Sequence, residues 1–149
     1  MYANIVCAVD GSELGTKALR HAIELARRLG AGLTVVTVTD PSLIVAPGAE
    51  MIMVDTSAIL DNLEQAKAES ARKILADAKV LTSGAGIDAR GVHVPGKPAA
   101  EGIQEAAKAH KADLIVMGSH GRRGLGRLLL GSQASEVLAH SDIPVLIVK

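Results

Sequence analysis

Two rhythms of apolar residues alternate along this chain. Ile5-Val6-Cys7-Ala8-Val9 is a short, largely β-branched run closed by Asp10-Gly11-Ser12, a turn signal that can also start a helix. From Leu14 the rhythm changes: Ala18, Leu19, Ala22, Ile23, Ala26 and Leu29 recur at helical spacing, and Gly30 follows as a stop. Leu33 to Val38 is a second strand-like run. Ile59, Leu60, Leu63, Ala66, Ile74, Leu75 and Ala78 then mark a long amphipathic helix, which Thr82-Ser83-Gly84 is expected to end. Ile87 to Val94 reads as a weaker strand. Lys97-Pro98 follows, with the proline in the first turn of a helix bearing Ile103, Ala106 and Ala107. Leu114-Ile115-Val116-Met117 is apolar without a break, as a strand covered on both faces must be. A last helix carrying Ala134, Val137 and Leu138 leads to Pro144-Val145-Leu146-Ile147-Val148.

Strand and helix alternate throughout, which specifies an α/β fold: a parallel sheet of five strands wrapped by four helices on both faces. Ligands in such sheets bind beyond the carboxyl ends of the strands, where the strand order reverses. Asp10, Thr39-Asp40 and Gly118 all fall at such ends. Asp40 can serve a ribose hydroxyl there, or the Asp40-Pro41 pair can be a plain turn.

At 149 residues the chain is one domain in length, able to bury roughly 70% of the surface its unfolded form exposes. Sixteen basic and sixteen acidic residues cancel, so nothing draws the whole molecule toward nucleic acid or an anionic membrane. Any anion site must be local. Aromatics supply 1% of the residues, with Tyr2 the single one, so bases cannot be stacked on rings and a bound adenine must rest on aliphatic side chains. Cys7 is the lone cysteine; a small buried residue in a central strand accounts for it better than a redox role. No apolar run reaches membrane-spanning length and no basic leader precedes the first one, so a cytoplasmic protein is expected.

The chemistry is concentrated between Gly118 and Ser132, where five glycines fall in fifteen residues. Glycine permits positive φ and close backbone approach, so that N–H groups point at phosphate oxygens. Gly131-Ser132 then opens a helix whose free N–H donors and dipole favour an anion, with the Ser132 hydroxyl as a further donor. A side chain at Gly118 or Gly121 is expected to intrude on the phosphate. The competing reading is a surface loop with an ordinary serine cap. Gly126-x4-Gly131 has Walker-like spacing, but Ser132 stands where the lysine belongs; Gly124-Leu125-Gly126 lacks the third glycine of the dinucleotide fingerprint.

The pattern Gly118-x2-Gly121-x9-Gly131-Ser132 resembles the ATP-binding signature of the universal stress protein family. The likeness extends from Ile5-Val6-Cys7-Ala8-Val9-Asp10-Gly11-Ser12 through Ala112-Asp113 and Gly118-Ser119-His120-Gly121 to Ile143–Val148. It implies a single Rossmann-like domain with strand order 3-2-1-4-5, and a homodimer in which the last strands, Val145, Leu146, Ile147 and Val148, pair. It further implies that Ala8, Val9 and Asp10 lie beside the adenosine, with Asp10 reaching the ribose or the adenine edge, and that Val38 holds the adenine through its backbone. Met117 and Gly118 would line the ribose and α-phosphate. Gly121 would belong to the phosphate loop, and Gly131, Ser132, Gln133 and Ala134 would meet the β- and γ-phosphates. Many relatives carry a small or β-branched residue at the position of Gln133. Aliphatic packing from Val9 and Val38 is the adenine site that the composition permits.

Catalytic groups are harder to find. An ATPase needs residues that position water and offset charge on the γ-phosphate, and none stands out. Arg122, Arg123 and Arg127 can neutralise phosphate or remain solvated, and His120 can touch phosphate or simply pack. His140 suits a helix C-terminus. His21, His93 and His110 share no metal-ligand spacing, so any metal is expected to be Mg2+ arriving with ATP. Pro41 to Ser57 is long for a connection and contains Met51-Ile52-Met53-Val54: a lid, a dimer contact, or packing at the sheet edge. The resemblance implies a stress-response protein in which ATP governs conformation or partner binding with slow or no turnover. A slow ATPase and a dimeric scaffold with a vestigial pocket are the alternatives.

Overall fold

A computed structural model describes residues 1–42, 56–121 and 129–149. Its elements are β1 (Asn4–Ala8), α1 (Glu13–Leu29), β2 (Gly32–Thr39), α2 (Ser57–Gly84), β3 (Arg90–Pro95), α3 (Ala99–Ala109), β4 (Leu114–Gly118), α4 (Ser132–His140) and β5 (Val145–Val148). The strands form one parallel sheet in the order β3-β2-β1-β4-β5. The pairing runs Ile5 to Leu33 on one side of β1 and Ile5 to Leu114 on the other, so the central strand is bonded along both edges.

Alternate residues of each strand serve opposite layers. Ile5, Cys7, Leu33, Val35, Leu114 and Val116 pack with α1 and with Ala78 of α2. Val6, Val36, Ile115 and Met117 pack with Ala100, Ile103, Ala106 and Ala107 of α3 and with Ala134 and Val137 of α4. Alanine dominates the helix side of both layers, which lets helix backbones lie close to β-branched strands and makes an almost ring-free core possible. Cys7 is wholly buried, and desolvation pushes its thiol up to about 12. It is a core residue in its protonated form.

Element ends follow local chemistry. Ser12 caps α1 by accepting from the Gly15 N–H at 3.0 Å. Gly30, at φ 64°, ends it, and the N–H groups of Gly30 and Ala31 both reach the Ala26 carbonyl. Two boundaries differ from the sequence reading. α2 does end at Gly84, but its C-terminal wrap continues through Gly86 (φ 75°) to Ile87, whose N–H is held by the Thr82 carbonyl; β3 therefore begins at Arg90. Pro98 lies one position before the first turn of α3, as its N-cap, with extended ψ and its carbonyl accepting from Gly102 N–H. Gly102, inside a helix where glycine is costly, is explained by space: a Cβ there would stand 2.7 Å from a Val38 methyl.

Asp113 joins the turn before β4 to the start of β1. Its carboxylate accepts from Ala3 N–H at 2.8 Å and Asn4 N–H at 3.1 Å, while its own N–H donates to the Asn4 carbonyl. The bond from Ala3 is the main reason its pKa lies below the ordinary 3.8. A carboxyl depressed by folding contributes stability above its unfolded pKa and loses it as pH falls through the native value. We expect Asp113→Asn to cost on the order of 1 kcal/mol at neutral pH, the partial exposure of the turn reducing the full worth of a charged hydrogen bond. The difference from wild type should shrink to nothing as denaturation curves are taken below pH 3.8.

Candidate functional site

The strand order reverses between β1 and β4, because the chain leaves β1 toward β2 and leaves β4 toward β5. In sheets of this kind the cleft that takes ligands lies outside the carboxyl ends of such a pair of strands. Val9 N–H still bonds the Val36 carbonyl at 2.9 Å, and the chain then turns through Gly11 at φ 79°. Asp10 is fastened at this turn: one carboxylate oxygen accepts from Ser12 N–H at 2.9 Å. A Cβ on Gly15 would be 3.0 Å from that oxygen, so glycine lets the first turn of α1 close over the acid.

The other carboxylate oxygen of Asp10 faces Gly121, where a Cβ would come within 2.7 Å. Asp10 and the glycine-rich segment therefore meet. Ser119, buried after β4, organises that segment: its N–H donates to the Val148 carbonyl and its carbonyl accepts from Gly131 N–H, both at 2.8 Å. Its hydroxyl pairs with His120 Nδ1 at 3.1 Å. The Ser119–Gly131 bond closes the two ends of the loop on each other. A Cβ on Gly131 would stand 3.0 Å from the Ser119 carbonyl oxygen, so a side chain there opposes closure.

Gly131 is also the N-cap of α4, with φ −60° and ψ 155° and no side-chain cap. Ser135 N–H is the first to bond back, to the Gly131 carbonyl at 2.9 Å. The N–H groups of Ser132, Gln133 and Ala134 precede it and point out of the helix start, at the positive end of its dipole. Ser132 is exposed in the first turn and does not act as the cap.

The structure thus brings together Asp10, Gly121, Gly131 and the first turn of α4, and qualifies other expectations. Gly118, Gly121 and Gly131 do not adopt positive φ; Gly118 and Gly131 are crowded by neighbouring backbone, whereas a Cβ at Gly121 would meet the movable end of the Asp10 side chain. At Gly118 the space belongs to α1, since a Cβ would meet Leu14 atoms at 3.1 to 3.2 Å. Val9 and Val38 do not share a face: Val9 belongs to the layer of α1 and α2, whereas Ala8 and Val38 face the layer of α3 and α4. Ala8 pairs with Val36, two residues before Val38, so the register of β1 and β2 puts Val38 on the face of Ala8 and opposite to Val9. Met117 and Ala134 are buried in that second layer, which leaves their backbones to border the cleft. Gln133 turns its side chain to Ala100 N–H at 2.8 Å. His140 lies at the end of α4, with Nδ1 by the Glu136 carbonyl. Arg122, Arg123, Gly124, Gly126 and Arg127 lie outside the described residues, as do Met51 to Val54.

Leu14, Gly15 and Ser119 were not singled out from the sequence. Ser12-x2-Gly15 after a strand and an acid is the one local signal that could have indicated Gly15. Two grooves lie elsewhere. One, about 400 Å³, runs beside α2 at Leu75 and Gly91; the other, about 590 Å³, crosses the amino ends of the strands at Asn4, Thr34 and His110. Among the described residues no three His, Cys, Asp or Glu side chains are placed to hold a metal. No helix among them is long and apolar enough to cross a membrane.

The sequence profile of the universal stress protein family matches residues 1–149. The chain belongs to that family. It is 36% identical to universal stress protein MJ0531 of Methanocaldococcus jannaschii, over all of this chain and 83% of the relative. It is 32% identical to universal stress protein YxiE of Bacillus subtilis, with both chains covered in full. Among solved structures, UspA from Lactobacillus plantarum superposes with a TM-score of 0.83 at 26% identity, covering 99% of this chain and 98% of that one. A universal stress protein in complex with cAMP gives 0.73 at 28% identity, covering 99% and 97%. One from Archaeoglobus fulgidus in complex with dAMP gives 0.69 at 25% identity, covering 99% and 98%. The Rossmann-like fold with sheet order 3-2-1-4-5 is the architecture of this family, and members of it hold adenine nucleotides.

The two kinds of glycine separate by experiment. Gly118→Val forces a side chain into the backbone of α1 and should lower unfolding free energy by roughly 1–3 kcal/mol in denaturant titrations. Among the described residues a Cβ at Gly121 meets only the movable carboxylate of Asp10, and the unfolding curve of Gly121→Ala should overlay the wild type within about 0.5 kcal/mol.

Proposed function

We propose that this chain is a single-domain, ATP-binding regulator of the stress response, acting in the cytoplasm with little or no hydrolysis. The observation that carries the reading is the meeting of Asp10 with the closed glycine-rich loop at the uncapped first turn of α4. Free N–H donors at a helix start are suited to phosphate oxygens, and a carboxylate at the end of a neighbouring strand is suited to ribose hydroxyls. The signature Gly118-x2-Gly121-x9-Gly131-Ser132 spans this place. Relatives of the same fold that hold cAMP and dAMP support adenine as the base.

In this reading Ser132, Gln133 and Ala134 offer backbone N–H groups to the distal phosphates. Met117 and Gly118 border the ribose and α-phosphate, and Gly121 keeps the loop against Asp10. Ala8, Val9 and Asp10 lie along the adenosine, while Val38 presents its backbone to the adenine from the end of β2. The base packs on the Ala8 and Val38 side of the sheet, since Val9 points the other way. Mg2+ enters with the nucleotide and shields phosphate charge. Low turnover is part of the proposal because no set of side chains that both orients water and offsets γ-phosphate charge stands out among the described residues.

β5 is an outer strand of the sheet, with Leu146 exposed and Val145 and Ile147 half-buried, and we propose that it pairs with β5 of a second copy. In light scattering the wild type should have twice the monomer mass, and Leu146→Asp should return it to monomer.

Nucleotide-stripped protein titrated with Mg·ATP in a calorimeter should show saturable binding. Chromatography of the mixture should show no enzyme-dependent ADP. Steady ADP release would replace this reading with a slow ATPase, and folded protein that binds nothing would leave a dimeric scaffold.

A further inference from the structure

α3 begins without a cap of its own. Its N-cap is Pro98, which has no side-chain acceptor, so the first N–H groups must find partners elsewhere. One partner comes from another helix: Ala100 N–H donates to Gln133 Oε1 at 2.8 Å. That bond fixes the amide, because only its oxygen can accept. Gln133 is the second residue of α4, within the turn whose N–H groups were assigned to phosphate.

The same turn of α3 also touches the opposite end of the cleft. Gly102 lies so near Val38 that a Cβ would be 2.7 and 2.8 Å from its two methyls. Just ahead of the helix, Lys97 N–H reaches the Thr39 carbonyl at 3.3 Å, and the Lys97 ammonium pairs with Glu105. The start of α3 is therefore fastened to the carboxyl end of β2 on one side and to the first turn of α4 on the other.

We propose that the first turn of α3 is a positioning element for the nucleotide, with Gln133 as the link through which occupation of the α4 turn is felt at Ala100. This rests on the nucleotide reading above. Phosphate oxygens drawn to the Ser132, Gln133 and Ala134 N–H groups restrain the backbone from which the Gln133 side chain extends. That restraint tightens the bond to Ala100. Coupling is reciprocal, so releasing α3 weakens nucleotide binding by the same factor. The effect grows with the number of phosphates, because Gln133 stands at the phosphate end. The outward residues of α3, Glu101, Glu105 and Lys108, are the surface whose mobility then reports the bound state.

The test is amide hydrogen exchange at Ala100 together with calorimetric affinities for Mg·ATP and AMP, in wild type, Gln133→Met and Gln133→Glu. Met removes the acceptor at similar length; Glu keeps an oxygen for Ala100. In wild type, ATP should slow exchange at Ala100 several-fold more than AMP does, and Gln133→Met should abolish the difference. Gln133→Met should weaken ATP about fivefold and AMP less than about twofold, the scale of one hydrogen bond. Gln133→Glu should restore wild-type exchange at Ala100 in the ligand-free protein. Equal losses for ATP and AMP, or exchange at Ala100 that ignores ATP in a protein that binds it, overturn the link and leave the nucleotide reading standing. Wild type that binds neither nucleotide overturns both.

Discussion

β1 is hydrogen-bonded to β2 along one edge and to β4 along the other, and each of its faces is sealed by a helical layer. A strand in that position must be apolar on both faces, must alternate its side chains between two cores, and must end where the helices stop covering it. Everything in the cleft depends on this last condition. Val9 is the final residue held by the sheet on that strand, and Asp10 is the first polar group past the sealed region. On β4 the same limit is reached at Gly118, and Ser119 is turned back by its bond to Val148. Because the two strands are neighbours whose connections depart in opposite directions, two polar turns emerge side by side.

What occupies the cleft is shaped by small residues acting for different reasons. Gly118 admits Leu14 of α1, Gly15 admits Asp10, Gly121 lies at the far oxygen of that carboxylate, and Gly131 lets the loop close on Ser119. One glycine seats a helix; the others place a charged group and a closed loop within reach of each other. The φ requirement that usually explains glycine belongs instead to Gly11 at the β1–α1 turn, and to Gly30, Gly86 and Gly96. Crowding is a tertiary property, whereas a positive φ belongs to the local turn. A glycine-rich segment read without its neighbours does not reveal which of the two is needed.

The caps of α3 and α4 make the same distinction in another way. α1 carries its cap in sequence, Ser12 to Gly15, and could form the first turn with it alone. α3 borrows Gln133 from a helix more than thirty residues downstream, and α4 begins on a bare Gly131. Leaving one helix start uncapped while tying its second residue to another helix stiffens the turn and keeps its backbone donors facing the cleft. Stress proteins of this fold hold cAMP and dAMP. A rigid donor array at a strand switch point suits such phosphate-bearing ligands without requiring a charged side chain.

The order of elements, the parallel sheet and most of both cores were legible in the sequence, because each depends on periodicity that a single segment carries by itself. Ile5 to Val9 and Leu114 to Met117 read as covered strands, and the helical spacing from Ala18 to Ala26 matches the buried face of α1. The family resemblance also pointed to Asp10, Gly121, Gly131 and Ser132, and the structure brings Asp10 to Gly121 and Gly131 to the start of α4. Tertiary structure alone decided the rest. Which face Val9 and Val38 use, why Gly118 and Gly102 lack side chains, and where the Gln133 amide goes all depend on residues far apart in the chain. Those distances close only after the sheet has assembled. Periodicity is a property of neighbours along the chain, and contact is a property of neighbours in space.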